Sequence, residues 1–155
     1  MYSMDQTWVL IDANTGLHVS WYFWLRVLDE VNRSARYGHP FGLLLLEAEV
    51  KAGASHRLAG EAATRVPGAI RSTDLGGVLG VGRAGVVLPY QDPAAAQRAT
   101  ERIIDQLQRG SPSAVRWVPR LLCYPADGAE ISNLLTSGWT ERRAVKPAHE
   151  AAETA

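Results

Sequence analysis

Ten residues, Phe41 to Val50 (FGLLLLEAEV), constrain this chain more than any other stretch. Four consecutive leucines stand in it with no polar residue between them. Four apolar residues are far short of the roughly 20 that a membrane span needs. The run reads as a β-strand. Successive side chains of a strand point to opposite faces, so a run that does not alternate with polar residues is apolar on both. Both faces then need cover, and helices must lie on at least one side of the sheet.

The rest of the chain supplies that cover. Apolar residues at Trp21, Trp24, Leu25, Leu28 and Val31 follow helical spacing and predict a helix from Trp21 to Ala35. Tyr37-Gly38-His39-Pro40 ends it. The alanine-rich stretch Ala54 to Thr64 predicts a second helix, which Pro67-Gly68 breaks or ends. Leu75 to Leu79 and Gly85 to Leu88 read as two short strands reversing around Gly80-Val81-Gly82-Arg83. Asp92-Pro93 is a capped helix start, with an apolar stripe running through Ile103 to Leu107. Val115 to Tyr124 is another strand, Asp127-Gly128 a turn and Ile131 to Leu135 a short helix. At the N-terminus, Trp8 to Ile11 reads as an extended lead-in to a turn at Asp12 to Gly16. The expected fold class is α/β (α+β), with one central, mostly antiparallel sheet flanked by helices. The domain is expected over residues 1–138, with a charged, flexible tail at 139–155.

Composition narrows the function. The chain has 155 residues, 46% of them hydrophobic, enough for one normal core. Sixteen basic and sixteen acidic residues give no net charge. No whole-protein field therefore draws it to nucleic acid or to a membrane surface, although a local basic patch is not excluded. Cys123 is the single cysteine, so no intrachain disulfide forms, and a cytoplasmic setting is expected. Flanked by Leu121, Leu122 and Tyr124, it reads as a buried structural thiol. His18, His39 and His56 have no partner at metal-ligand spacing, and no metal or other cofactor is expected.

Six phrases fall in an order that resembles one family. Asp12-Ala-Asn-Thr-Gly-Leu17, with Phe23 beyond it, resembles the opening motif of GGDEF domains, the fold of bacterial diguanylate cyclases. Pro40 to Leu46 resembles their first core strand, and Arg71-Ser-Thr-Asp74 the Arg-x-x-Asp that precedes their signature. Gly80-Val81-Gly82-Arg83-Ala84 occupies the signature itself. Val86 to Pro89 resembles the strand that follows, and Tyr124 to Gly128 with Leu134-Leu135 the late turn and helix. The resemblance spans residues 12–135 and implies a ferredoxin-like core, and in active members two GTP molecules and a dimer.

It also implies what has been lost. Active members hold metal ions between a carboxylate ending the first strand and the acidic half of the signature. Glu47 stands at the first position, with Glu49 two residues on and on the same side of the strand. At the second stand Arg83 and Ala84, a cation and a methyl group. Val19 and Ser20 replace the Asn-Arg after the opening motif, and the Asn-Asp after the first strand is missing. Ser137-Gly138-Trp139 stands where a lysine-bearing signature helix belongs. Diguanylate cyclase activity is therefore not expected. Glu47 and Glu49 read as vestigial metal residues or solvated strand-end charges.

Arg71 and Asp74 remain. In the family this pair forms the inhibitory site for the product, cyclic di-GMP. An arginine fork can grip phosphate or the Hoogsteen edge of guanine, and an aspartate can accept from guanine N1 and N2. A surface ion pair is the alternative. Arg65 and Arg102 are further candidate arginines for such a ligand, and the sequence does not place them. Three readings follow: a cyclic di-GMP receptor, a ligand-free interaction module, or a metal-dependent nucleotide enzyme on Glu47 and Glu49. Four successive aromatics, Trp21 to Trp24, cannot all face one core, so the Trp21/Trp24 helix is a candidate surface for a homodimer or a partner protein.

Overall fold

A computed structural model describes residues 10–139. Its centre is β1 (Phe41–Val50), flanked on one side by β3 (Arg83–Pro89) and on the other by β4 (Val115–Tyr124). With β2 (Leu75–Gly80) at one edge, the four strands run in the order β2-β3-β1-β4, and every pairing is antiparallel. The helices are α1 (Ser20–Tyr37), α2 (Arg57–Ala63), α3 (Val66–Ala69), α4 (Pro93–Gly110) and α5 (Gly128–Ser137). From β1 onward, strand, helices, hairpin, helix and strand follow one another in the βαββαβ sequence of a ferredoxin-like core.

The unbroken leucines of β1 have the predicted consequence. Leu44 and Leu46 enter a core with Ala62, Val66, Ala96, Ile103 and Leu107, beneath α2, α3 and α4. Leu43 and Leu45 enter the opposite core with Phe23, Val27 and Ile131, beneath α1 and α5. Three α4 residues of the first layer are small or slender (Ala96, Ala99 and Thr100), so α4 lies close to the sheet. The ring of Phe23 lies over Gly77 and Gly85, which face each other across β2 and β3. A Cβ on Gly77 would stand 2.4 Å from Phe23, and one on Gly85 2.6 Å.

Local chemistry sets the boundaries. Gly38, at φ 77°, ends α1 by donating its N–H to Ser34 O, since glycine takes the left-handed conformation without strain. Asp92 accepts from the N–H of Ala95, and Pro93 fills the first helical position of α4. Asp92→Ala is expected to cost about 1 kcal/mol in urea unfolding, because it leaves an N-terminal amide uncapped. An unchanged unfolding midpoint would show the cap to be idle.

Three boundaries differ from expectation. The alanine-rich helix starts at Arg57, behind a turn at Lys51 to Ala54, not at Ala54. Pro67 and Gly68 do not break a helix: they lie inside the one-turn α3, where the missing proline N–H is no loss. The last helix begins at Gly128 and reaches Ser137. Ile11 makes an isolated bridge with His18, and Trp8 and Val9 lie outside the described residues. The predicted tail does so from residue 140 on. No helix among the described residues is long and apolar enough to cross a membrane.

Candidate functional site

The signature positions form the tip of the β2–β3 hairpin. Val81 and Gly82 make the loop, and Val81 is 82% exposed. Gly82 sits at φ 70°, with its carbonyl accepting from the N–H of Ala48. A Cβ there would meet Ala59 of α2 at 2.9 Å, so both conformation and space require glycine. The ladder slips between Val78 and Gly80, which bends the tip. The hairpin tip, Gly80 to Ala84, carries Arg83 and no carboxylate.

Register then decides the fate of the carboxylate left on β1. Glu47 lies opposite Arg83 on β3, and Glu49 opposite Arg116 on β4. Arg83 Nε donates to Glu47 Oε2 at 3.4 Å, and their side chains are only 12% and 18% exposed. The guanidinium also lies over the indole of Trp139, 4.9 Å from its centroid. Trp139 itself packs against the second core. Glu47 and Glu49 are therefore half-buried, not solvated strand-end charges. The Arg83 cation sits beside the Glu47 carboxylate and offsets its charge. Among the described residues, no group of three or more His, Cys, Asp or Glu side chains could hold a metal ion.

Arg71 and Asp74 come together, but not as an ion pair. Asp74 Oδ2 accepts the backbone N–H of Arg71 at 2.9 Å, while Asp74 N–H donates to Arg71 O. The carboxylate ties the turn, and the exposed Arg71 guanidinium makes no hydrogen bond or ion pair among the described residues. Arg102 Nη1 donates to Ala69 O at 3.2 Å and Gln106 Nε2 to Gly68 O, which holds α4 against the segment leading into this turn. Arg65 lies instead beside Gly110, at the far end of α4.

A groove of about 720 Å³ runs between the hairpin tip, α2 and the opening turn. Asn14, Ser20, Thr64 and Val81 help to line it, and its charged lining among the described residues is Asp12 and Glu61, both acidic. Asp12 Oδ2 accepts from the N–H and hydroxyl of Thr15, so it caps the turn as the spacing suggests. Nothing in the sequence revealed that this concavity would present two carboxylates and, among the described residues, no cation. Only the packing of three distant segments creates it.

The aromatic run on α1 separates as predicted, but along a different line. Phe23 is fully buried, Trp24 is half-buried against the second core, and Trp21 is 56% exposed. The outward residues near Trp21 are Leu25 and Leu28, not Trp24. Cys123 is half-buried rather than buried, and partial burial and then the Asp127 carboxylate push its thiol pKa up. Reactivity is thereby suppressed.

No family model and no curated protein matches the chain. Solved structures do. The isolated GGDEF domain of YfiN (TpbB) from Pseudomonas aeruginosa superposes with a TM-score of 0.63 at 23% identity, over 75% of this chain and 76% of that one. A sensory box/GGDEF family protein from Caulobacter crescentus gives 0.66 at 22% identity, over 83% and 92%. The coiled coil and GGDEF domain of DgcB from Caulobacter crescentus, solved in complex with cyclic di-GMP, gives 0.66 at 10% identity, over 86% and 81%. The backbone course these chains share, together with the order of phrases from Asp12 to Leu135, gives this protein the fold of a GGDEF domain.

Proposed function

We propose that this chain is a signalling domain of the GGDEF fold that does not join nucleotides and that receives cyclic di-GMP at Arg71 and Asp74. The observation that carries the loss of activity is the Glu47–Arg83 pair. A catalytic metal would neutralise phosphate charge and activate a hydroxyl. Here a guanidinium already compensates the strand carboxylate, beneath Trp139. The groove at the hairpin tip would set a triphosphate against Asp12 and Glu61, with no lining cation among the described residues to offset the repulsion.

The receptor reading rests on the turn. Its backbone is tied by Asp74, and the Arg71 fork extends from it into solvent. A pre-ordered turn lowers the entropy lost when a ligand docks. The fork would take phosphate or guanine N7 and O6, while the carboxylate would accept from guanine N1 and N2. The complex of the similar DgcB domain with cyclic di-GMP supports this ligand class. An interaction module without a ligand is the second reading, favoured by the outward apolar residues of α1.

Calorimetric titration of the purified chain with cyclic di-GMP tests the proposal. Wild type is expected to bind at micromolar or tighter affinity. Arg71→Ala is expected to lose at least about tenfold, the equivalent of one charge-assisted hydrogen bond. GTP with Mg²⁺ is expected to give neither binding heat nor product. A silent titration at high cyclic di-GMP would remove the receptor reading.

A further inference from the structure

We infer that the basic segment Arg142 to Lys146 of this chain docks into the acidic groove between the hairpin tip, α2 and the opening turn. The inference stands whether or not cyclic di-GMP binds at Arg71 and Asp74. The groove has about 720 Å³, within the roughly 300–1,000 Å³ of sites that bury a ligand. Its walls set two carboxylates, Asp12 and Glu61, beside the apolar side chains of Ala63, Val78 and Val81. Neither carboxylate makes an ion pair among the described residues. Asp12 Oδ2 is engaged by Thr15, whereas Glu61 is exposed and its carboxylate accepts no hydrogen bond among those residues. A groove of this kind fits a cationic segment that also carries a small apolar side chain.

Charge and reach select the occupant. Thr140 to Lys146 reads Thr-Glu-Arg-Arg-Ala-Val-Lys, with three cations against one anion. The residue before it, Trp139, lies against Arg83, whose guanidinium is 4.9 Å from the indole centroid. Arg83 directly follows Val81 and Gly82, which line the groove. The chain therefore continues past Trp139 from beside the groove's own rim. Arg142 and Arg143 are the third and fourth residues beyond Trp139, and at about 3.3–3.6 Å per extended residue they reach about 10–14 Å from it. Arg143 and Val145 share one side of an extended segment, so a guanidinium can meet Glu61 while an aliphatic side chain covers Val81. Exposed ion pairs are weak singly. A short tether offsets this weakness, because it holds the segment at an effective concentration in the millimolar range. Docked, the segment fills the groove and closes it to a nucleotide.

Paramagnetic broadening in the full chain tests the docking. A nitroxide is attached at Ala148→Cys in a Cys123→Ser background, two residues past Lys146. In low salt the amide signals of Gly60, Glu61 and Thr64, on the α2 wall, are expected to be lost. Those of Gly38 and Tyr90, at the opposite end of the β1–β3 ladder, are expected to stay sharp. About 1 M NaCl, where the screening length falls to about 3 Å, should bring the α2 signals back. Arg142→Glu with Arg143→Glu should bring them back as well. Adding Glu61→Lys to that variant should restore part of the broadening, since the charges are then exchanged across the contact. Glu61 is exposed, so unshifted amide signals elsewhere should accompany these results. α2 signals that stay sharp in low salt would overturn the proposal, as would broadening that survives the charge reversal. Broadening in a mixture of spin-labelled chain with unlabelled nitrogen-15 chain would assign the contact to a second copy and overturn docking within one chain.

Discussion

Phe23→Ala is expected to lower the unfolding free energy by about 3–5 kcal/mol, the cost of emptying a large aromatic site. Phe23 is fully buried, and the floor of its site is two glycines paired across strands, Gly77 and Gly85. Neither glycine has a side chain to move into the void. The α1 side cannot collapse easily either, because Val27 and Leu43 are already packed in the same core. Removing the ring also unties α1 from the hairpin that bears the signature positions. The converse substitution has its own cost. In Gly77→Ala the new methyl group would meet Phe23 Cβ and Cγ at about 2.5 Å, near the backbone, where the ring cannot swing away. Overpacking of this kind costs about 1–3 kcal/mol. Gly77→Ala combined with Phe23→Leu should cost less than the sum of the two single changes, since the smaller side chain makes room for the methyl group. Urea unfolding of the four proteins measures the coupling. Strictly additive costs would mean that ring and glycine do not share one site.

The second large effect is expected at the ion pair. Arg83→Glu should destabilise the fold by about 1–3 kcal/mol, below the range for a fully buried broken pair because both side chains keep some solvent contact. The substitution removes the cation beside Glu47, withdraws the guanidinium from Trp139 and sets two carboxylates across the β1–β3 ladder. Like charges directly opposite in a ladder repel. A divalent cation can bridge them, so millimolar Mg²⁺ should raise the variant's thermal midpoint while leaving wild type unmoved. The variant is still expected to make no cyclic di-GMP from GTP, because the groove retains Asp12 and Glu61 and holds no cation among the described residues. Should the variant match wild type in stability without metal, the pair would have no structural part. Should it turn over GTP, the proposed inactivity would rest on the signature positions alone and the groove would have no part in it.

Much of the molecule was legible in the residues because its signals are local. The strand Phe41–Val50 could be read to its ends, since four uninterrupted leucines admit few other arrangements and Pro40 bounds them. Val115–Tyr124 was equally plain. The hairpin was marked by its glycines, and the start of α4 by Asp92-Pro93. Boundaries failed where local chemistry is permissive. Alanine suits a helix or a turn, so Ala54 could be given to either, and proline inside a first helical turn resembles proline beyond a last one.

The candidate site divides in the same way. The Arg71–Asp74 turn is made of residues three apart, and their spacing alone brought them into view. Their contact was misjudged because one sequence spacing serves an ion pair and a backbone cap alike. Glu47 and Arg83 stand 36 residues apart, and no local rule predicts that they meet. The sequence by itself determined which segments form strands and helices, that β1 is covered on both faces, and which charges stand at Glu47 and Arg83. Only the tertiary structure decided that these charges neutralise each other, that Phe23 rests on Gly77 and Gly85, and that Trp21 rather than Trp24 faces outward. The physical reason is range: hydrophobic periodicity acts within a few residues, whereas strand register is settled by both sheet faces packing at once.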